Sequence, residues 1–381
     1  MRVRKPWPWG LAITALASSL LLTGCELDGS NSSTPPTREE AWRFLSQATF
    51  GPDEQSILDV TTQGYSTWID NQFNKTARIG FRAFMRQRDA ELKADQPGVS
   101  GVKAGPNQVL EAFYVRALQD PAQLRARLVF ALSEIFVVSF ANEVLGGVAP
   151  EMVATYLDTL DSALDGNFRG LLEKVTLSPA MGEYLTFRGN SKEDASVGRL
   201  PDENYAREVM QLFTIGLYQL NADGTRKLDG SGQPIPTYAS ADVKGLAKVF
   251  TGWGMYRGSG YSSQSESDCF SWALTCRDPA GYDQAMVPYP AYHSTSVKTF
   301  LGTTIASQGT PSPQASLQTA LDTLANHPNV APFISKQLIQ RLVSSNPSAA
   351  SNAHTRAMRW FVESGDGMAA PYWIVTPPVS G

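Results

Sequence analysis

Residues Leu128 to Phe140 are apolar almost all round, and a helix hydrophobic on every face has to be buried in a domain interior. Asp120-Pro121 precedes the run as a cap followed by a proline suited to a first helical position, so a central helix is expected through Leu124, Leu128, Leu132 and Phe136. Glu134 stands alone in that stretch. Buried and charged it would be costly, so it needs a raised pKa or an arginine from elsewhere in the fold.

Helical periodicity recurs along the chain. Thr37 to Phe50 opens on a capping threonine and carries Trp42, Leu45 and Ala48 at helical spacing. A second helix is expected from Pro52 to Gly64, and Tyr65 to Phe73 repeats the pattern. Gly98, Gly101 and Gly105 break the chain between Asp95 and Pro106. Further helices fit Met152–Leu164, Phe168–Thr176, Glu203–Leu217, Ala241–Phe250, Ala315–Ala325 and Val330–Val343. Leu220 to Tyr238 holds the turns Asp223-Gly224 and Asp229-Gly230 and reads as a small β excursion. Asn221, Asp223 and Thr225 have the start of a calcium loop, but no glutamate closes it at the required spacing, which favours plain turn chemistry. The expected fold is therefore mainly α: a multi-helix globular domain with a β-hairpin excursion.

The N-terminus constrains location. Arg2, Arg4 and Lys5 precede an apolar stretch from Trp7 to Leu22, the order of a secretory signal, and its uninterrupted part is short for a permanent span. Leu22-Thr23-Gly24-Cys25 resembles the lipobox of bacterial lipoproteins, which implies cleavage before Cys25 and lipid, including palmitate, on its thiol; an ordinary signal peptide is the alternative. Residues 1–24 are then a signal peptide and 25–37, rich in Ser and Pro, a flexible tether. Glu26, where an aspartate would favour inner-membrane retention, makes the outer membrane the expected destination. The partner implied is thus a membrane, reached through the lipid. With Cys25 lipidated, Cys269 and Cys276 are left as a pair in an oxidising compartment and read as a disulfide, with two free thiols as the alternative. A net charge of −4 carries no electrostatic footprint for nucleic acid.

Pro201-Asp202-Glu203-Asn204-Tyr205-Ala206-Arg207-Glu208-Val209-Met210-Gln211-Leu212-Phe213-Thr214-Ile215-Gly216 resembles the hallmark of the bacterial family called domain of unknown function 1800. Ala241-Asp242-Val243, Phe250-Thr251-Gly252-Trp253, His293 with Lys298-Thr299-Phe300-Leu301-Gly302, and His327 through Ile334 follow in the family's order, so the resemblance covers residues 38–347. The family's name supplies no activity. Many members carry Trp-His-Asn-His on the long helix where this chain has Leu132-Ser133-Glu134-Ile135, and Asp where it has Ser294, so a metal site built on those histidines has no ligands here. Where relatives continue with another amphipathic helix, residues 348–381 read as an atypical tail, truncated or frame-shifted, which would leave the domain without a packing element and an apolar face open.

Candidates for chemistry are few. Glu203 and Arg207 lie one helical turn apart, either as a surface ion pair or as a general acid or base with a guanidinium beside it. The histidines are His293, His327 and His354, of which His293, in a loop after Tyr289 and Tyr292, is the catalytic candidate. Asp242 completes a possible cluster. Common hydrolase, zinc and nucleotide-binding motifs are missing, and no cofactor or metal is called for. Trp253, Tyr256, Tyr261, Phe270, Trp272, Tyr282, Tyr289 and Tyr292 form an aromatic loop suited either to stacking on a ligand or to packing. Two functions stay open. One is an envelope lipoprotein that binds an envelope glycan or a partner protein through that loop and the Glu203 helix; the other is a hydrolase-type enzyme using Glu203, Arg207, Asp242 and His293.

Overall fold

The computed structural model describes residues 35–347 apart from 78, 259 and 261–263. The signal-like segment, Cys25, most of the tether, Tyr261 and the tail from 348, with His354, lie outside the described residues. The chain divides into two units at Pro35, and the elements below belong to the second.

Thirteen α-helices are described: α1 Arg38–Ala48, α2 Glu54–Asn74, α3 Phe81–Asp95, α4 Pro106–Gln119, α5 Gln123–Ser133, α6 Glu151–Ala163, α7 Phe168–Thr176, α8 Pro179–Tyr184, α9 Asn204–Gln211, α10 Ser240–Ala247, α11 Glu266–Phe270, α12 Pro313–Ala325 and α13 Val330–Leu342. Two antiparallel pairs accompany them, β1 (Trp253–Gly254) with β2 (Val287–Pro288) and β3 (Lys298–Phe300) with β4 (Thr303–Ile305). The fold is mainly α, as its periodicity implies. None of the described helices is long and apolar enough to cross a membrane.

Local chemistry explains most boundaries. Thr37 caps α1 in a reciprocal box with Glu40, and Asp53 caps α2 with Ser56, each satisfying donors that a helix start leaves unpaired. Gly64, at φ 78°, kinks α2 where two helical patterns meet. Trp42 projects outward at 54% exposure, while Ala41, Phe44, Leu45 and Ala48 form the buried stripe of α1.

Two expectations are corrected. The central helix α5 stops at Ser133 and does not run through Phe136: Ile135 and Phe136 are buried in the turn that follows, and the Phe136 carbonyl accepts a hydrogen bond from the Tyr156 hydroxyl at 2.6 Å. Burial of a turn yields the same apolar run as burial of a helix. Glu134 therefore caps α5 near the surface, 4.0 Å from Arg341 Nε. The hallmark helix α9 ends at Gln211, not Leu217, because the chain turns there to reach Gly216 at φ 69°, where a Cβ would lie 2.6 Å from the Phe333 ring.

α4, α5 and α6 are joined by a buried ionic network. Arg116 bonds Asp120 at 2.9 Å and Asp161 at 2.7 Å, and Arg125 bonds Asp161 at 3.0 Å and Asp165 at 2.5 Å. The β excursion is a ring of three extended segments, in which Lys227 N donates to Gln219 O, Ile235 N to Lys227 O, and Gln219 N to Ile235 O. Asp223 Oδ1 accepts from the Thr225 amide and hydroxyl at 2.9 and 2.6 Å, so this stretch uses its carboxylate to close a turn.

Candidate functional site

Glu203 and Arg207 meet at 3.1 Å on the outside of α9, with side chains 33% and 44% exposed. An exposed pair of this kind is worth at most about 1 kcal/mol. Asp242 has different work. Its Oδ2 accepts from Ala239 N at 2.7 Å at the start of α10, and its Oδ1 accepts from Leu301 N at 2.7 Å. Leu301 stands at φ 48° and Gly302 at φ 77° in the turn between β3 and β4, so Asp242 pins a strained two-residue turn that a leucine enters at a cost of about 1–2 kcal/mol. Neither residue of the Glu203–Arg207 pair hydrogen-bonds Asp242 or His293.

His293 is fully buried and closes a chain of hydrogen bonds. Its Nδ1 lies 2.8 Å from Thr251 O and its Nε2 3.1 Å from Ser316 Oγ. With the proton on Nδ1 the order is consistent throughout: Lys298 Nζ donates to Gln308 Oε1 at 3.2 Å, Gln308 Nε2 to Ser316 Oγ at 3.2 Å, Ser316 to Nε2, and Nδ1 to the Thr251 carbonyl. Thr251 Oγ1 also accepts from Ser294 N at 2.8 Å, and a Cβ on Gly252 would lie 2.7 Å from His293 N, which is why a glycine at φ 73° stands there. Desolvation pulls the imidazole down to about pKa 4, against the opposing hydrogen bond to Thr251 and with a smaller contribution from the charge of Lys298. His293 is therefore neutral near pH 7.

Lys298, also fully buried, has no carboxylate within ion-pair distance among the described residues, and desolvation lowers its pKa to about 8. Glu193, half-buried across from it, binds Ser294 Oγ at 2.9 Å and Ser296 Oγ through Oε1 and leaves Oε2 buried without a partner. Desolvation pushes Glu193 up, but the hydrogen bonds from Ser296, its own backbone and Ser294 hold it below the ordinary carboxylate value. Neither Lys298 nor Glu193 stands out as chemistry in the sequence. The available signal was alternation, since Lys298 and Phe300 point inward on β3 with Thr299 outward between them.

The aromatic loop turns inward. Trp253, Phe270, Trp272, Tyr282 and Tyr289 are buried, Phe270 stacks on Tyr292 at 3.9 Å, and the Tyr289 hydroxyl donates to Met255 O at 2.9 Å. Cys269 and Cys276 form the disulfide, Cα atoms 5.0 Å apart, around Trp272, whose ring lies between Arg188 and Arg277. Tyr256 remains exposed, so this loop offers little of its ring surface for stacking on a ligand.

An open groove of about 380 Å³ lies at the C-terminal end of α9, between the β excursion and α13. Leu212, Leu217, Tyr218, Leu220 and Phe333 form its floor, Gln211, Gln337 and Gln340 its polar edge, and Arg226 and Lys336 its charge. Leu212 and Leu217 are 42% and 48% exposed. No carboxylate lines the groove, and neither Arg226 nor Lys336 has an ion-pair partner among the described residues. Arg226 stacks over Tyr218 at 4.7 Å.

A family model described as "Protein of unknown function (DUF1800)" matches residues 43–372. The chain belongs to the DUF1800 family. No curated protein and no solved structure matches it. In this DUF1800 chain the hallmark stretches are neighbours in space, tied by buried side chains. Asn329 donates to Ile215 O and Tyr218 O at 2.6 and 3.0 Å while accepting from Leu220 N at 2.6 Å, and Tyr205 anchors α9 to α7 by donating to Thr176 Oγ1 at 2.7 Å. His327, half-buried with its pKa lowered by desolvation, accepts the Asn329 amide through Nδ1 at 3.1 Å. Among the described residues of this DUF1800 chain no group of three or more His, Cys, Asp or Glu is placed to hold a metal ion.

Proposed function

We propose that this chain is an exported envelope protein, lipid-anchored at Cys25 and sorted to the outer membrane, that holds a partner and does not turn over a substrate. The observation that carries this reading is the groove at the end of α9, an exposed apolar surface with two uncompensated cations, of the kind that marks an interaction site. The distribution of the polar candidates supports it. Asp242 is saturated by two backbone amides, His293 is buried and neutral, and Glu203 pairs with Arg207 in solvent. A general acid or base must reach the proton it moves, and the His293 side chain is fully buried.

Two experiments test the reading. Labelled palmitate is expected to enter the wild-type chain and not Cys25→Ser; equal labelling of both would end the anchoring claim. For binding, the full chain in detergent is screened against envelope glycan fragments, peptides and chromogenic ester and glycoside substrates. Binding without turnover, retained by folded Glu203→Gln and His293→Asn, is expected. Turnover abolished by either substitution at unchanged melting temperature would replace this reading with the hydrolase one.

A further inference from the structure

The side chains lining the groove are apolar, amide or cationic, with the phenol of Tyr218 among them. Leu212, Leu217 and Phe333 offer carbon surface, and among the described residues the Gln340 side chain has no hydrogen-bond partner and Lys336 Nζ is engaged only by Gly224 O at 3.4 Å. An ammonium has three donors, so Lys336 retains capacity for a carboxylate, and the Arg226 guanidinium, over the Tyr218 ring at 4.7 Å, lines the same space with its five donors. The acids of the adjoining turns do not line the groove, and each closes its own turn through Oδ1: Asp223 on Thr225, and Asp229 on the amides of Ser231 and Gln233.

From this complementarity we infer that the groove takes an extended peptide segment of a partner protein in which apolar side chains alternate with carboxylates. This rests on the binding reading above and names its ligand. Such a segment satisfies all three parts at once. Its aliphatic side chains cover the leucines and Phe333, its carboxylates meet Lys336 and Arg226, and its main-chain amides match Gln340, whose side chain both donates and accepts; Gln211 and Gln337 already bond Tyr238 and the Leu212 carbonyl. A glycan lacks the aliphatic groups, and an acyl chain lacks the amides.

The test is fluorescence anisotropy with the full-length chain and a labelled, acetylated and amidated peptide of alternating leucine and glutamate, beside its leucine–lysine counterpart. The glutamate peptide is expected to bind, to weaken as salt rises, and to lose about tenfold or more in affinity on Arg226→Glu with Lys336→Glu, since paired charges at an interface govern partner choice. That double variant should gain affinity for the lysine peptide, a reversal that misfolding cannot produce. Leu217→Asp, at unchanged melting temperature, should abolish binding of both. No binding at low salt, or binding indifferent to the double reversal, overturns the inference. So does a photo-crosslinker at Leu217 that, in the purified protein, links to residues 348–381 of its own chain. Capture of glycan fragments by a chain that ignores both peptides would overturn the ligand assignment while leaving the binding reading standing; turnover lost with Glu203→Gln would overturn the binding reading itself.

Discussion

Glu203 and Arg207 sit in solvent one turn apart, while His293 and Lys298 lie fully buried behind β3, and all four come from stretches that carry the family resemblance. The exposed pair makes one contact at 3.1 Å. The buried pair belongs to a chain that runs from Lys298 through Gln308 and Ser316 to His293 and Thr251, joining β3, the segment after β4, α12 and the end of α10. Titratable residues in a hallmark motif can thus be surface charge or internal scaffold, and burial with partner count separates the two.

The largest expected effect lies in the frame around the buried group. A Cβ on Gly245 would stand 1.8 Å from Thr299 O, because α10 rests backbone to backbone on β3. Gly245→Ala should cost roughly 3–5 kcal/mol, read by urea unfolding, with a change near zero sinking the claim that this contact sets the frame.

Lys298 gives the next effect. Its folded pKa of about 8 lies below the ordinary 10.5. Above about pH 10.5 neither folded nor unfolded chain holds the proton. As pH falls toward 8 the unfolded chain takes it first, so stability is lost on acidification through that window and is level below it. The loss should be roughly 2–3 kcal/mol. Lys298→Met should lack that slope, and the difference between the two pH profiles isolates it from the buried tyrosines. Parallel profiles would contradict the burial.

The smallest effect belongs to the surface. Glu203→Gln should change unfolding free energy by no more than about 0.5 kcal/mol, with a salt dependence to match. A loss of several kcal/mol would mean that the pair is scaffold too, and the contrast between the regions would dissolve.

Much of the helical frame was legible because caps and apolar stripes are local. α7 runs over Phe168–Thr176 as its pattern implies, with Asn167 accepting the Gly170 amide at 2.8 Å, and α12 and α13 fall within two residues of their expected starts. α3 was not legible, since it fully buries only Phe81 and Met85, with Phe84 and Leu92 half-buried among many charged residues, and α4 shows solvent Leu110, Tyr114 and Leu118 on one face. The Cys269–Cys276 disulfide could be read by counting. The candidate site resisted for a physical reason: the partners of His293 and of the groove are brought together by tertiary contact. Thr251 lies 42 residues away and Ser316 23, while Arg226 and Lys336 reach one groove from a β turn and a helix that no local pattern connects.

The central claim is that the hallmark histidine is a neutral, internal strut. Its folded pKa of about 4 lies below the ordinary 6.5, so protonation of the unfolded chain alone should drain stability as pH falls from 6.5 toward 4. The direct measurement is an NMR titration of the His293 imidazole in the intact protein, assigned with His293→Asn. The account predicts the Nδ1–H tautomer, protected from solvent exchange, with no protonation down to about pH 5. An imidazole that titrates near 6.5 and exchanges freely would contradict it and return His293 to the candidates for catalysis.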